Sequence, residues 1–393
     1  MKLFQKLLVA GTALSLIAPV ASQASETINL EEMNSYARSK KSSRINSRTF
    51  LNDVKEDLAT INSRVDGLEA RQNIFEAGGF SDTTAMDGKA VFTVGALDAP
   101  EGEATLTEAT VFQYMYVMNL NTSFTGDDNL YIRLKTGNGQ SDKTFSEKPF
   151  GTYLSSANQK ADALTVDKMW YSMPLGDSFT FTIGPKIENY YMHGTTPSIY
   201  KPVLKQFTLG GNASAYGAST SPGAGLTWTG DSGVAISTNF TTQKGNESTG
   251  ILTNEKPTSW ATQIGYTKPQ YSVSAIVNLK YNGWGDSYFT TPNGKKRDYT
   301  AGDSSTNIGL RGWWRPEETG GATPSISVGF DTSETENSSN SNTNMYFVGL
   351  TWQDMFQADD RIGIALGQPQ KREDETTDPF AWEAYYQFQV NDS

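Results

Sequence analysis

A chain of 393 residues with no cysteine, a net charge of −11 and 37% hydrophobic residues excludes several classes at once. Disulfides and thiolate metal sites are ruled out by composition, and the acidic balance argues against nucleic acid as a partner. Beyond the N-terminus no apolar run approaches the roughly 20 residues that a spanning helix needs, so a helical membrane protein is excluded while a membrane barrel is not.

The first 24 residues read as a secretory signal peptide. Lys2 and Lys6 are basic, Leu7 to Val20 is apolar, and Ser22-Gln23-Ala24 offers small residues for cleavage. Residues 25–48 form a polar linker with a basic cluster at Arg38, Lys40, Lys41, Arg44 and Arg48. It reads as a flexible envelope linker or, more sharply, as a contact for an anionic cell-wall polymer. Residues 49–79 are expected to be a coiled-coil stalk. Leu51, Val54, Leu58, Ile61, Val65, Leu68, Gln72 and Phe75 step alternately by three and four, a heptad whose polar lapse is Gln72. Opposite charges at Arg64 and Glu69, and at Arg71 and Glu76, suit a parallel pairing, and Gly78-Gly79 ends the helix. An amphipathic helix packed on the main domain is the other reading of the same pattern.

From residue 80 to residue 393 the period changes to two. In "DDNLYIRLKTGNG" (127–139), Leu130, Ile132 and Leu134 form one face, and Tyr131, Arg133 and Lys135 the other. The alternation recurs at Phe179/Phe181/Ile183, at Val273 to Leu279 with Ile276 out of phase, at Ile326/Val328/Phe330 and at Ala384 to Val390. About fourteen strands are expected: 89–96, 110–124, 129–137, 163–173, 178–187, 223–229, 233–241, 258–267, 270–281, 306–314, 324–332, 344–353, 361–367 and 380–390. The connections alternate between long ones, such as 188–222, and tight ones, such as "TGDD", "PLGD" and "TKPQ". Transmembrane up-and-down antiparallel β-barrels sort their loops this way, and a β-sandwich has no reason to. Trp170, Trp228, Trp313, Trp314 and Trp352 near short turns, with Trp260 and Trp382 near long loops, are expected to form two aromatic girdles at the lipid interfaces.

On that architecture the polar strand faces line a water-filled lumen. Tyr131, Arg133, Lys135, Lys280, Arg311, Asp331 and Glu383 are the expected pore-lining residues, and basic side chains there lower the barrier to anions. The acidic Asp331 and Glu383 leave the net selectivity open. Glu188–Pro222 is the candidate inward-folded constriction loop, offering Tyr190, Tyr191, Tyr200, Lys201 and Lys205, with external cover as its other reading. Aromatic rings there would suit carbohydrates. No catalytic constellation is visible. The single histidine, His193, lies in this loop without a nucleophile or base beside it, and "GKK" at 294–296 lacks P-loop spacing. Asp359-Asp360 reads as a turn in preference to a calcium site. The chain is expected to be no enzyme and to need no cofactor or metal.

The stretch "LNTSFTGDDNLYIRLKTGNG" (120–139) resembles cyanobacterial outer-membrane porins of the OprB-like, carbohydrate-selective family, also called iron uptake porins. "NSRVDGLEARQNIFEAGGFS" (62–81), "LTVDKMWYSMPLGDSFTFTIGP" (164–185) and the less specific "GAGLTWTGDSGVAIS" (223–237) are similar too. The resemblance implies a sixteen-stranded barrel, a homotrimer, outer-membrane lipid as surroundings, and passive diffusion of sugars, ions and other small polar solutes. Members commonly carry a wall-binding domain before the coiled coil, for which 25–48 is too short. The ending "FQVNDS" looks like a turn after strand fourteen, with two strands of the family pattern still to come. The competing reading is a secreted β-rich polysaccharide-binding protein.

Overall fold

The computed structural model describes residues 83–98, 109–139, 145, 153–154, 162–286, 288–295, 302–336 and 342–390. The signal, linker and heptad residues lie outside them, so Leu51, Val54, Leu58, Ile61, Val65, Leu68 and Phe75 have no structural account.

Fourteen strands follow one another as a single antiparallel meander in which each pairs with its neighbours in sequence. They are β1 (Thr84–Gly95), β2 (Val111–Thr122), β3 (Asn129–Gly137), β4 (Thr165–Leu175), β5 (Phe179–Ile187), β6 (Ser221–Thr229), β7 (Val234–Thr242), β8 (Thr258–Lys268), β9 (Tyr271–Tyr281), β10 (Ser304–Trp314), β11 (Ser325–Glu336), β12 (Thr343–Gln353), β13 (Arg361–Arg372) and β14 (Ala381–Gln387). Among the described residues β1 and β14 do not pair, so the sheet is open there. The sorting of loops by length holds through β10. It fails later because β11 runs on to Glu336, leaving only 337–342 as its long-side loop, while 315–324 serves as a short-side turn.

The two faces of the sheet differ in chemistry. One carries Phe92, Val94, Ile183, Ile264, Val273, Leu310, Phe330 and Trp382, all exposed. The other carries Ser237, Asn239, Gln263, Asn278, Asn307, Ser327 and Asp331, all buried. In water this distribution would be upside down. It is the expected one for a wall with hydrocarbon outside and polar contents inside. The inward face is covered by the segment between β5 and β6, which forms short 3-10 turns at Asn189–Met192 and Lys205–Gly210 and one helical turn at Ala213–Tyr216.

Two sequence irregularities have physical causes here. Ile276 breaks the polar phase of β9 because it faces Ala215 and Tyr216 of that segment in an inward apolar cluster. In the pairing of β3 with β4 the register shifts between Arg133 and Leu134, so that Asp167 of β4 is the extra residue. A bulge sets two residues against one, which is how the adjacent Asp167 and Lys168 both reach inward partners. The girdle expectation needs correcting. Trp170 stacks on Tyr131 at 4.2 Å and packs on Tyr191 at 4.6 Å. Trp313 donates Nε1–H to Thr196 O at 3.1 Å. Both indoles therefore face inward, drawn by ring and carbonyl partners on the loop, while Trp260, Trp314 and Trp382 are exposed on the outward face.

Candidate functional site: the loop-covered and the open inner wall

Residues 188–220 are fastened to the wall by a row of buried charges. Arg311 of β10 makes a two-pronged ion pair with Asp331 of β11, Nη1–Oδ1 2.5 Å and Nη2–Oδ2 2.8 Å. Its Nε donates to Leu209 O at 2.9 Å, and Asn212 N donates to Asp331 Oδ2 at 3.0 Å. The pair thus holds a stretch in which Leu209, at φ 66°, sits in the left-handed region that side chains usually avoid. Gly329 of β11 makes room for it: a Cβ there would lie 1.8 Å from Gly210 O. Farther along, Glu383 of β14 accepts from Tyr200 Oη at 2.7 Å and from Leu204 N at 2.6 Å. Lys168 of β4 meets Glu188 Oε1 at 2.5 Å, and Thr220 Oγ1 donates to the same oxygen at 2.8 Å.

The connection between β9 and β10 folds in as well. Asp286 pairs with Lys280 Nζ at 2.5 Å and accepts from Ser219 Oγ at 2.6 Å, with Trp284 Nε1 at 3.2 Å. Asn212 Nδ2 donates to Tyr288 O and Phe289 O, and Phe289 packs on Phe207. From the connection between β3 and β4, Leu154 bridges to Leu204 and Tyr153 O accepts from Lys205 N at 2.7 Å. Sequence reasoning singled out one inward loop. Three meet, and their partners lie far apart in the chain, with no local signature to mark them.

The expected lining residues therefore divide. Lys280, Arg311, Asp331 and Glu383 are on the inward face but buried beneath the loops, where protein groups satisfy them. Desolvating such charges is costly unless they are paired and hydrogen-bonded, and the covering loops supply those partners. Tyr131, Arg133 and Lys135 stand instead on β3, which 188–220 meets through Tyr191: its ring packs on Trp170 and its Oη accepts from Arg133 Nη1 at 3.5 Å. Arg133 Nε donates to Asn119 Oδ1 at 3.1 Å and to Tyr131 Oη at 2.8 Å, and its Nη1 reaches Asp167 Oδ2 at 3.9 Å. With Asp87, Lys89 and Asn119, Arg133 and Lys135 line a cavity of about 340 Å³. Asp87 was not picked out from sequence because β1 begins at Thr84, five residues before the expected 89–96, and Asp87 sits in that extension; Lys89 opens the expected strand but was not assigned to the inward face.

Of the loop residues, Tyr190 and Tyr191 continue the stack begun by Tyr131 and Trp170, with ring centres 4.2 Å apart. Tyr200 is buried against Phe347. Lys205 lies over the Tyr288 ring at 5.7 Å. Lys201 is exposed, and its carbonyl accepts from Tyr385 Oη at 2.6 Å. His193 is packed among protein groups: its Nδ1 stands 3.2 Å from Asn239 Nδ2, its ring meets Tyr216 edge-on, and burial pushes its pKa down to about 3.

The short turns repeat one device. Asp128 accepts from Phe124 N, Thr125 N and Ser123 Oγ, and Tyr171 Oη donates to it at 2.7 Å. These bonds, the tyrosine's first, hold the Asp128 carboxyl well below the usual carboxylate range. Asp360 accepts from Met355 N, Phe356 N and Gln357 N, with Tyr386 Oη at 3.1 Å. It is a turn anchor. Among the described residues no group of three or more His, Cys, Asp or Glu side chains could hold a metal.

An apolar outside, a polar inside and loops folded onto the inner wall are the features of a transmembrane β-barrel channel wall. Residues 41–393 match the family described as carbohydrate-selective porin, OprB family, and the chain belongs to that family. An uncharacterized protein of Nostoc sp., alr4550, is 45% identical over 87 residues, which are 22% of this chain and 15% of that protein. The uncharacterized protein sll0772 of Synechocystis sp. is 31% identical over 138 residues, 34% of this chain and 24% of that one. The matched parts thus span less than a quarter of those relatives' lengths. Among solved structures, a high-pH structure of Pseudomonas putida OprB aligns with a TM-score of 0.49 at 10% identity, covering 77% of this chain and 78% of that one. A mutant porin of Rh. blastica aligns at 0.39 and 10% identity, covering 73% and 94%.

Proposed function

We propose that the protein is an outer-membrane porin that passes small polar solutes passively, with no covalent chemistry. The observation that carries this reading is the inversion of the sheet: exposed Phe, Val, Leu and Trp outward, and buried Ser, Asn, Gln and paired charges inward. Family membership supports it. A secreted polysaccharide-binding protein would set those apolar rows in water, at a cost of about 25 cal/mol for each Å² exposed.

In this reading the three inward loops narrow the channel, and solutes pass along the open wall with Tyr131, Arg133 and Lys135. Selectivity comes from width and wall charge. The N-terminal heptad at 49–79 is a periplasmic stalk that helps three copies associate, and the basic 25–48 segment touches a cell-wall polymer. No cofactor takes part. The test is to purify the full chain in detergent and record single channels in a planar bilayer. Stepwise, salt-dependent currents are expected. Folded, β-rich protein that gives none would refute the channel. Cross-linking before and after deletion of 49–79 tests the stalk, with loss of the trimer band as the expected result.

A further inference from the structure

The outward face holds a feature that solute passage does not use. On β9, Tyr271 and Tyr281 are both outward and exposed, one at each end of the strand. They stand about 34 Å apart along the strand. At a barrel tilt of roughly 40° that is about 26 Å along the axis, close to the apolar band of a membrane barrel. Exposed Val273 and Val277 lie between them. On β8, Tyr266 and Trp260 stand near the same two levels, and the Tyr266 ring meets Tyr271 at 6.1 Å. Trp260 stacks on Phe240 at 5.8 Å, and its Nε1 donates to Thr238 Oγ1 at 3.1 Å. Aromatic rings therefore bound the apolar rows of β8 and β9 at both ends, as they do at lipid interfaces.

At the long-loop level this face opens into a cavity of about 490 Å³. Trp260, Tyr281 and Ser304 of β8, β9 and β10 form its floor, and Leu252 and Asn254 of the β7–β8 loop form one side. The loop presents carbon there against the preference of its backbone. Leu252 sits at φ 58°, a left-handed conformation that side chains usually avoid, and it is 49% exposed. Ile251 beside it is equally exposed, and a Cβ on Gly245 would lie 2.6 Å from its Cγ2. The loop is closed on itself: Lys256 Nζ pairs with Glu247, and Gln243 N donates to Pro257 O at 2.9 Å. A strained backbone at an exposed apolar tip points to a contact outside the chain.

Continuity says what that contact is. The cavity floor belongs to the same outward rows, Trp260 to Ile264 and Tyr281 to Val273, that face hydrocarbon in a membrane barrel. Among the described residues no Asp, Glu, Lys or Arg lines it, and its polar groups are hydroxyls and amides such as those of Thr253 and Asn254. An apolar floor with an uncharged rim matches an acyl chain and its ester linkage at the headgroup boundary. It offers a charged headgroup no partner.

We propose that this cavity seats one acyl chain of an outer-leaflet lipid, held between Leu252 and the rings of Trp260 and Tyr281 with its ester region at Asn254. The proposal rests on the membrane-barrel reading and goes beyond the channel. The full chain has no cysteine, so Leu252→Cys, Val277→Cys and Ser248→Cys each give a single site for a fluorophore. In phosphatidylcholine vesicles with brominated chains, the label at 252 should be quenched nearly as strongly as the one at 277, in mid-wall. The label at 248, on the exposed part of the loop, should be quenched far less. Native mass spectrometry of the detergent-purified chain with added phosphatidylcholine should show one retained lipid per chain. Ile251→Ser with Leu252→Ser should lower the retained fraction about ten-fold, because half-buried aliphatic contact is lost, and leave single-channel conductance unchanged. Anionic phosphatidylglycerol should be retained equally. An unquenched label at 252 beside a quenched one at 277, or quenching without a retained lipid, would overturn the seat and leave the barrel in its membrane. Retention of the anionic lipid alone would overturn it as well. A serine variant that keeps its lipid but loses an oligomer would give this face to a second copy of the chain, and the seat would fall. A label at 277 that is not quenched would instead remove the membrane reading itself.

Discussion

Lys89 and Lys280 are the same side chain on the same face of one sheet, yet they live in different solvents. Lys89 on β1 is exposed beside a cavity of about 340 Å³, while Lys280 on β9 is 2% exposed and holds Asp286. The difference lies in what covers each strand. The 188–220 segment packs on strands from β4 to β14 through buried polar contacts and touches β3 through Tyr191, whose Oη accepts from Arg133 Nη1 at 3.5 Å. One wall is thus a fastening, and in the proposed channel the other borders the passage. A residue's position in the alternation says which face it is on, but only the loops decide what it does there.

The sharpest way to break this comparison is to delete a fastening charge. Arg311→Ala leaves Asp331 buried without its cation and frees Leu209 O, so stability should fall by about 3–5 kcal/mol. The check is the thermal unfolding midpoint in detergent, alongside a larger single-channel conductance as the loop loosens. Lys280→Ala should behave alike, and Lys89→Ala should change stability by less than about 0.5 kcal/mol. Equal effects from the two lysines would erase the distinction between the walls. Next in size is Gly329→Val. A side chain cannot share space with Gly210 O, so the loop must shift, at about 1–3 kcal/mol. Higher conductance with the sheet content unchanged by circular dichroism is the expected readout.

Acid titration sharpens the same contrast. His193 is neutral in the folded protein because burial lowers its pKa from 6.5 to about 3. Between those values the unfolded chain binds the extra proton, so its contribution to stability falls as pH drops from about 6.5 toward 3. Replacing His193 by Gln should flatten that part of the acid-unfolding curve. Asp128 acts in a lower window. Its carboxyl is depressed, so its stabilising effect is present above pH 3.8 and is lost as the pH falls below that value. Asp128→Asn should weaken the pH dependence there. The smallest effect is expected for Tyr131→Phe, which removes one hydroxyl bonded to Asn119 and Arg133. A stability change of about 1 kcal/mol is expected, read by the same melts.

Much of the sheet was legible in the sequence. Strands such as β3, β8 and β9 alternate cleanly, because lipid on one side and polar contacts on the other impose opposite demands on successive residues. The exceptions mark tertiary partners. Ile276 is apolar on the inward face because Tyr216 lies over it, and Trp170 turns inward to stack with Tyr131 and Tyr191. Neither partner can be named from local pattern. The same limit applies to Lys280 and Arg311, whose inward direction was readable while the carboxylates and loop carbonyl that bury them were not. Asp87 was missed for a simpler reason. "TAMDGK" at the start of β1 is polar and glycine-containing, and its pairing with Asn119 and Val117 is what makes it a strand.

The neighbour-only order of the meander has a consequence for how the molecule is made. Every strand pairing joins segments adjacent in sequence, and turns such as 123–128 are tied by contacts only three to five residues long. The fastenings instead join Leu209 to Arg311 across 102 residues and Tyr200 to Glu383 across 183. Short closures come sooner than distant ones, because the loop entropy is smaller. The expected order of assembly is therefore hairpins first, wall second and loop docking last. A newborn barrel would pass through a wide, leaky stage before it narrows, and a brief high-conductance phase after refolding into bilayers is the signature to look for.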